Sequence, residues 1–112
     1  MEISQVKVET YVPKEYVEKI RDELNEIGAC KVGNYDHVMS VLHVEGSWKP
    51  LKNSNPFNGE KEEINYGTEC KMEVRCPFSK VEETVRVIKR IHPYEEPLIN
   101  ILPLLNDLWN VK

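Results

Sequence analysis

Apolar and polar residues alternate in two stretches of the chain, which is the pattern of a β-strand with one buried face. The first stretch is residues 5–12, and its inward side chains are Val6, Val8, Thr10 and Val12. The second is residues 69–76, with the inward set Cys70, Met72, Val74 and Cys76. A proline follows each stretch, at Pro13 and Pro77, and proline suits the first turn of a helix. The sequence therefore predicts two strand-to-helix units.

Helical spacing of apolar residues follows each of these prolines. The first stripe, with spacings of three, four and three, is Val17, Ile20, Leu24 and Ile27. Gly28 is then well placed as the C-terminal cap. The second stripe is Val81, Thr84 or Val85, Ile88 and Ile91. This helix should end near His92, because the residue before a proline disfavours the helical region.

Two further strands and a long loop complete the predicted elements. Residues 38–44 are rich in β-forming side chains, and we predict a strand there with an irregularity at residues 33–34. That Gly-Asn pair indicates a bulge or a close backbone approach rather than a hairpin tip. Residues 46–59 are rich in Gly, Pro, Asn and Ser and predict a loop. Residues 98–102 follow Pro97 and predict a short strand at a sheet edge.

The second half of the chain repeats the first. An ungapped shift of 64 residues places residues 7–9 (KVE) on residues 71–73 (KME) and Pro13 on Pro77. The strand pattern and the helical stripe keep their phase under this shift. A duplicated βαβ plan predicts a ferredoxin-like α+β sandwich, in which a four-stranded antiparallel sheet carries two helices on one face.

Length and composition narrow the class of protein. At 112 residues we expect a single domain over 1–112, with its core at about 3–104 and a C-terminal tail at 105–112. The chain has no apolar run of transmembrane length and no signal-peptide pattern, so we expect a cytoplasmic protein without a membrane partner. The net charge is -4, with Lys and Arg scattered among Asp and Glu, which disfavours a nucleic-acid partner.

The three cysteines, Cys30, Cys70 and Cys76, are odd in number and lack CxxC spacing. A disulfide framework or a structural zinc site is therefore not expected. The 64-residue shift places Cys70 on Val6 and Cys76 on Val12. We accordingly predict that these two cysteines fill the core and are neither reactive nor metal-binding.

One face of the predicted sheet is left uncovered. It would present mixed charges, from Gln5, Lys7, Glu9, Tyr11, Glu69, Lys71, Glu73 and Arg75. A solvated face is the simpler interpretation, since antiparallel sheets tolerate water on one side. The alternative is that several copies bring these faces together around a wet central cavity. The edge strand at residues 98–102 has few charges to discourage pairing, which favours a homo-oligomer.

Residues 92–97, with the sequence HPYEEP, place an imidazole, a phenol and two carboxylates between two prolines. One interpretation is a divalent-metal site assembled from distant segments, with His37, His92 and Glu95 or Glu96 as ligands. The other is a structural turn in which His92 hydrogen-bonds the last carbonyls of its helix. Asp36 and His37 would point to opposite faces of a strand and so make a poor ligand pair by themselves.

The sequence offers no complete catalytic arrangement. It has no nucleophile elbow, no phosphate-binding glycine loop and no cysteine beside a base. Glu95 and Glu96 are neighbours and cannot flank a substrate. We therefore expect a non-enzymatic protein, with a hydrolase as the weaker alternative.

Four strings in order point to a known family: GNYDH at 33–37, GSWKPL at 46–51, NPFNG at 55–59 and HPYEEP at 92–97. They resemble the inserted middle domain of the Nif-three-like family (the interacting factors of Ngg1p), and the likeness covers about residues 7–104. This resemblance implies a fold similar to the PII signalling proteins and the CutA divalent-cation tolerance proteins, which assemble as trimers. The two-metal centre of the longer members is expected in their flanking domains, and we do not expect it in this chain, which resembles only the insert.

Two departures from the family remove a potential ligand or acid: Val38 stands where a Cys is frequent, and residues 98–100 (LIN) replace a segment with an Asp. We expect a small PII/CutA-like homo-oligomer, most simply a trimer, that requires no cofactor and binds a small ligand or a protein partner. Its candidate ligand or interface residues are Tyr35, Asp36, His37, Trp48, Asn55, Phe57, His92, Tyr94, Glu95 and Glu96. The alternative is a divalent-metal-binding protein with ligands from His37 and residues 92–96.

Overall fold

The computed structural model describes residues 2–112, which form one antiparallel sheet and two helices. The elements are β1 (Gln5–Val12), α1 (Val17–Glu26), β2 (Ser40–Trp48), β3 (Asn65–Pro77), α2 (Val81–Ile91) and β4 (Ile99–Pro103). The strand order is β2-β3-β1-β4, and each neighbouring pair is antiparallel. The predicted ferredoxin-like α+β sandwich is thereby confirmed.

The two halves begin their helices in the same way. A short 3-10 turn precedes each helix, at Lys14–Tyr16 and at Phe78–Lys80. The residue before each turn is a proline with nearly identical backbone angles, φ -60° and ψ 145° at Pro13, and φ -59° and ψ 144° at Pro77. These turns are 64 residues apart, so the repeat seen in the sequence is a repeat of local structure.

The core lies between the helices and the inward face of β1 and β3. Its fully buried members include Val8, Val12, Ile20, Leu24, Met72 and Ile88. Each such aliphatic side chain contributes roughly 1.5–3 kcal/mol when it is removed from water. Cys70 and Cys76 lie in this core as predicted, and Cys30 joins them; all three are free thiols.

Gly28 ends α1 as predicted, in a left-handed conformation with φ +90°. Its N–H donates to the carbonyl of Asn25 at 3.1 Å, and the N–H of Ala29 donates to the carbonyl of Leu24 at 3.1 Å. This pair of bonds is the Schellman arrangement, which satisfies carbonyls at the end of a helix. Both helices are short, and within residues 2–112 no helix is long and apolar enough to cross a membrane.

The segment before β2 differs from the prediction. Val32 and Tyr35 exchange both backbone hydrogen bonds, at 2.8 and 2.9 Å, and Gly33 has φ +58°. Residues 33–34 are therefore the tip of a tight turn, and the expectation of a bulge rather than a tip was wrong. A two-residue tip needs a positive φ, which glycine supplies at little cost.

β2 also begins and ends later than predicted. It starts at Ser40 instead of residue 38, and it continues through Trp48, inside the segment predicted to be a loop. Trp48 is paired with Asn65, and its ring lies against Gly67. Gly67 leaves room for this ring because it has no side chain. Pairing with β3 thus extends β2 into residues whose own composition favours a loop.

Four charged side chains form a network on the uncovered face. Lys71 Nζ lies 3.3 Å from a carboxylate oxygen of Glu9 and 3.1 Å from one of Glu73. Lys7 contacts the same two carboxylates at 3.4 and 3.6 Å. Burial favours a raised pKa for Glu9, but Lys71, Asn100 and Lys7 together hold it below the ordinary value. Glu9 is only 7% exposed, so the centre of this face is packed.

Candidate functional site: a loop–turn junction

The His92 side chain is held at both ring nitrogens. Nε2 lies 2.7 Å from the carbonyl oxygen of Tyr11, and Nδ1 accepts the N–H of Tyr94 at 3.2 Å. Because a carbonyl only accepts, the proton lies on Nε2 and the ring is neutral. Burial lowers the pKa of His92, partly opposed by the bond to Tyr11. The His92 ring therefore hydrogen-bonds to β1 and to the turn, and not to the last carbonyls of its own helix.

An aromatic cluster lies beside this imidazole. The ring centroid of Tyr94 is 4.7 Å from that of His92 and 5.9 Å from that of Phe57. Phe57 in turn meets Tyr16 edge-on, at 6.3 Å. Burial, followed by the nearby carboxylates of Glu69 and Glu15, raises the pKa of Tyr94 to about 12. The phenol is therefore neutral at physiological pH.

Glu95 joins the turn to the long loop between β2 and β3. One of its carboxylate oxygens accepts the backbone N–H of Asn55 at 2.7 Å. A hydrogen bond to an ionised acceptor is stronger than a neutral one. This bond and the Phe57–Tyr94 contact hold residues 49–64 against residues 92–97.

Trp48 fixes the other end of the same loop. Its Nε1–H donates to the carbonyl of Asn58 at 3.1 Å. Gly59 has φ +99°, and a Cβ at this position would lie 2.8 Å from Trp48 Nε1 and 3.0 Å from Asn65 Cγ. The Asn65 side chain closes the loop by accepting the N–H of Glu60 at 3.1 Å. Side-chain hydrogen bonds therefore hold the loop at several points along its length.

Five of the ten candidate residues meet in one place, which we call the loop–turn junction: Asn55, Phe57, His92, Tyr94 and Glu95. Trp48 lies at the other end of the same loop. Glu96 lies on the same turn, with its side chain exposed. Tyr35, Asp36 and His37 lie elsewhere, and Tyr35 is 74% exposed. The motifs NPFNG and HPYEEP are thus brought together, whereas the motif GNYDH is not part of this site.

The Asp36–His37 pair packs against the last turns of α1. The backbone N–H of His37 donates to Asn25 Oδ1 at 2.7 Å. The Nδ1 atom of the His37 ring lies 2.8 Å from Asp36 Oδ1. His37 has φ +57°, so this segment is not a strand and the two side chains do not point to opposite faces as expected. The hydrogen bond with His37 holds the pKa of Asp36 below its ordinary value.

His37 and His92 lie at opposite ends of α1. His37 is bonded to Asn25 near the C-terminus of that helix, whereas Tyr11, the partner of His92, precedes its start. About 12 Å of helix separates these ends, so within one chain His37 does not reach His92, as the predicted metal site would require. Among residues 2–112, no three His, Cys, Asp or Glu side chains converge to hold a metal ion. A metal site using both histidines stays a prediction that requires two copies of the chain.

One pair of side chains capable of chemistry was missed in the sequence. His43 and Cys70 lie directly opposite each other in the β2–β3 register, with Cys70 Sγ 3.7 Å from His43 Nδ1. The expectation that no cysteine lies beside a base was therefore wrong. The pairing depends on strand register across the 49–64 loop, and alternation within each strand does not fix that register.

Relatives of known sequence and structure match most of the chain. A protein of Staphylococcus epidermidis named GTP cyclohydrolase 1 type 2 homolog is 36% identical over 98 residues, covering 88% of this chain and 27% of that protein. A Bacillus cereus protein related to NIF3 superposes with a TM-score of 0.80 and 26% identity, covering 93% of this chain and 26% of the other. The chain is a homologue of the PII/CutA-like domain of NIF3-related proteins. No protein-family model matches it.

The likeness of this NIF3-related domain to the CutA proteins is a likeness of fold alone. The divalent ion tolerance protein CutA1 from Ehrlichia chaffeensis superposes with a TM-score of 0.69 at 18% identity. The match covers 95% of this chain and 86% of CutA1. The chain therefore has nearly the whole CutA1 fold, whereas it spans about 27% of the length of the curated relative from Staphylococcus epidermidis.

Proposed function

We propose that this NIF3-related domain is a non-catalytic module that assembles as a trimer and binds a small ligand or a protein partner at the loop–turn junction. The observation behind the proposal is that the imidazole and the carboxylate of the junction already have hydrogen-bond partners. His92 uses both ring nitrogens, and Glu95 accepts a backbone amide. Phe57 remains 50% exposed beside them. A shaped surface with an apolar centre suits binding better than acid–base chemistry.

The two edge strands support self-association. Exposed apolar side chains line both edges: Val41 and Leu42 on β2, and Ile101 and Leu102 on β4. Leu42 is paired with Lys71 and Leu102 with Lys7, so both leucines flank the charge network on the uncovered face. Edge strands with unpaired backbone groups and apolar side chains favour pairing with another chain. Copies that share these edges would cover the leucines and enclose the charged centre.

A charged substitution on the β4 edge tests this assembly. We expect Leu102→Lys to lower the trimer fraction at least tenfold at micromolar concentration, because it places an ammonium group in an apolar contact. Phe78→Lys is the matched control, since Phe78 is an exposed apolar residue away from both sheet edges. Light scattering measures the mass, and circular dichroism verifies folding. An unchanged mass for folded Leu102→Lys would exclude assembly through this edge.

A further inference from the structure

We propose a second site on this chain, outside the loop–turn junction, where Cys70 and His43 bind a thiophilic divalent cation such as Zn²⁺. The two residues come from adjacent strands, and the antiparallel register places them directly opposite each other. Both side chains therefore rise from the same face of the sheet. Backbone pairing fixes both positions without a loop, because Cys70 pairs with Val12 of β1 on one side and with His43 on the other.

The separation of the two ligand atoms suits a tetrahedral ion. Zinc binds sulfur at about 2.3 Å and imidazole nitrogen at about 2.0–2.1 Å, and tetrahedral angles then place these two atoms about 3.6 Å apart. Cys70 Sγ and His43 Nδ1 are 3.7 Å apart. In the tautomer whose proton lies on His43 Nε2, the thiol donates its proton to the Nδ1 lone pair, which is also the lone pair that a metal takes. An ion can therefore replace the proton with little movement of either side chain.

An open groove gives an ion access to this pair. The groove measures about 500 Å³ and is lined by His43, Cys70, Val41, Lys14, Glu15, Val17 and Glu18. Cys70 is only 2% exposed, but His43 is exposed at the groove surface. A metal thus approaches from the imidazole side and meets the sulfur at the groove floor.

The remaining coordination positions are open. Within residues 2–112 no third His, Cys, Asp or Glu already converges with this pair. Glu15 and Glu18 line the same groove and offer carboxylate oxygens after side-chain rotation, and water fills the positions they leave. A thiolate with an imidazole selects zinc and similar transition ions over magnesium and calcium, which prefer oxygen ligands alone.

Cobalt titration of the intact, reduced chain tests the site, because Co²⁺ bound to a thiolate shows a sulfur-to-metal charge-transfer band that free Co²⁺ lacks. We expect this band to saturate at one equivalent and to disappear when Zn²⁺ is added. Cys70→Ala should abolish it. His43→Gln should weaken Co²⁺ binding at least tenfold, and it retains the fold because His43 is exposed.

Two matched controls isolate the pair. Cys76→Ala removes another buried thiol, and His37→Gln removes another exposed imidazole; both variants should keep the band and the affinity. The proposal is overturned if the wild-type chain shows no charge-transfer band at one equivalent. It is equally overturned if His43→Gln binds Co²⁺ as tightly as the wild-type chain, or if the band persists in Cys70→Ala.

Discussion

The His92 ring connects three parts of the chain: the end of α2, the carbonyl of Tyr11 in β1 and the amide of Tyr94 in the turn. The sequence predicts where His92 lies, because Pro93 ends the helix there. It does not predict the partner, since Tyr11 is 81 residues away and offers only a backbone carbonyl. A polar cluster that suggests chemistry in the sequence is here a set of structural hydrogen bonds.

Replacing His92 should make the protein less stable and less sensitive to acid. Burial, opposed in part by the Tyr11 bond, holds the folded-state pKa of His92 below its ordinary value of 6.5. The unfolded state then binds more protons, so the stability from neutral His92 is complete above about pH 6.5 and is lost as the pH falls. We expect His92→Gln to cost about 1–3 kcal/mol at pH 7.5 and to flatten this acid dependence.

Urea unfolding between pH 7.5 and 5.5 measures both effects. His37→Gln is the control, because His37 is exposed and far from Tyr11. It should leave the acid dependence of the wild-type chain in place. A His92→Gln variant that loses stability toward acid as steeply as the wild type would show that His92 is not buried in its neutral form.

Glu95 should control the order of the long loop. Glu95→Gln replaces an ionised acceptor with a neutral one in the 2.7 Å bond to the Asn55 amide. We expect hydrogen exchange at Asn55 to accelerate roughly tenfold, which is about 1.4 kcal/mol of lost local stability. Glu96→Gln changes the charge equally on an exposed neighbour and should leave this amide unchanged. Equal exchange in both variants would contradict the role of Glu95.

At the scale of elements, sequence reasoning succeeded where structure is local. The proline, 3-10 turn and helix of each half follow from residues within one short segment, and Gly28 caps α1 for a local steric reason. It failed at β2, where residues after Gly46 form a strand because β3 pairs with them. The turn at residues 33–34 was likewise misjudged, because the same Gly-Asn pair fits both a bulge and a tip.

Gly59 should be the position in the long loop where a methyl group is least tolerated. A Cβ there would meet Trp48 and Asn65, whereas one at Gly33 would meet nothing within 4 Å. Both glycines have positive φ, +99° and +58°, so Gly33→Ala controls for much of the backbone strain. We expect Gly59→Ala to be about 1–3 kcal/mol less stable than Gly33→Ala and to shift Trp48 fluorescence to the red. Equal stability of the two variants would mean that Trp48 does not pack against Gly59.

At the scale of the whole molecule, the main feature is the sheet face that a single chain leaves uncovered. Its centre holds Glu9 and Glu73 directly opposite each other, and Lys7 and Lys71 offset their repulsion. Apolar side chains flank this centre on both edge strands, as Leu42 and Leu102 show. The fold class was predictable from the repeat, because a duplicated βαβ pattern admits few sheet orders. How copies would meet is not predictable from the sequence, since it depends on side chains at edges whose register the sequence does not fix.

The mass of the unmodified chain in solution tests the central claim most directly. Light scattering over a dilution series from high to low micromolar concentration gives this mass without any ligand or partner. We expect the mass of three 13.1 kDa chains across the series. A mass of one 13.1 kDa chain at every concentration would contradict assembly, and with it the proposal of a trimeric binding module.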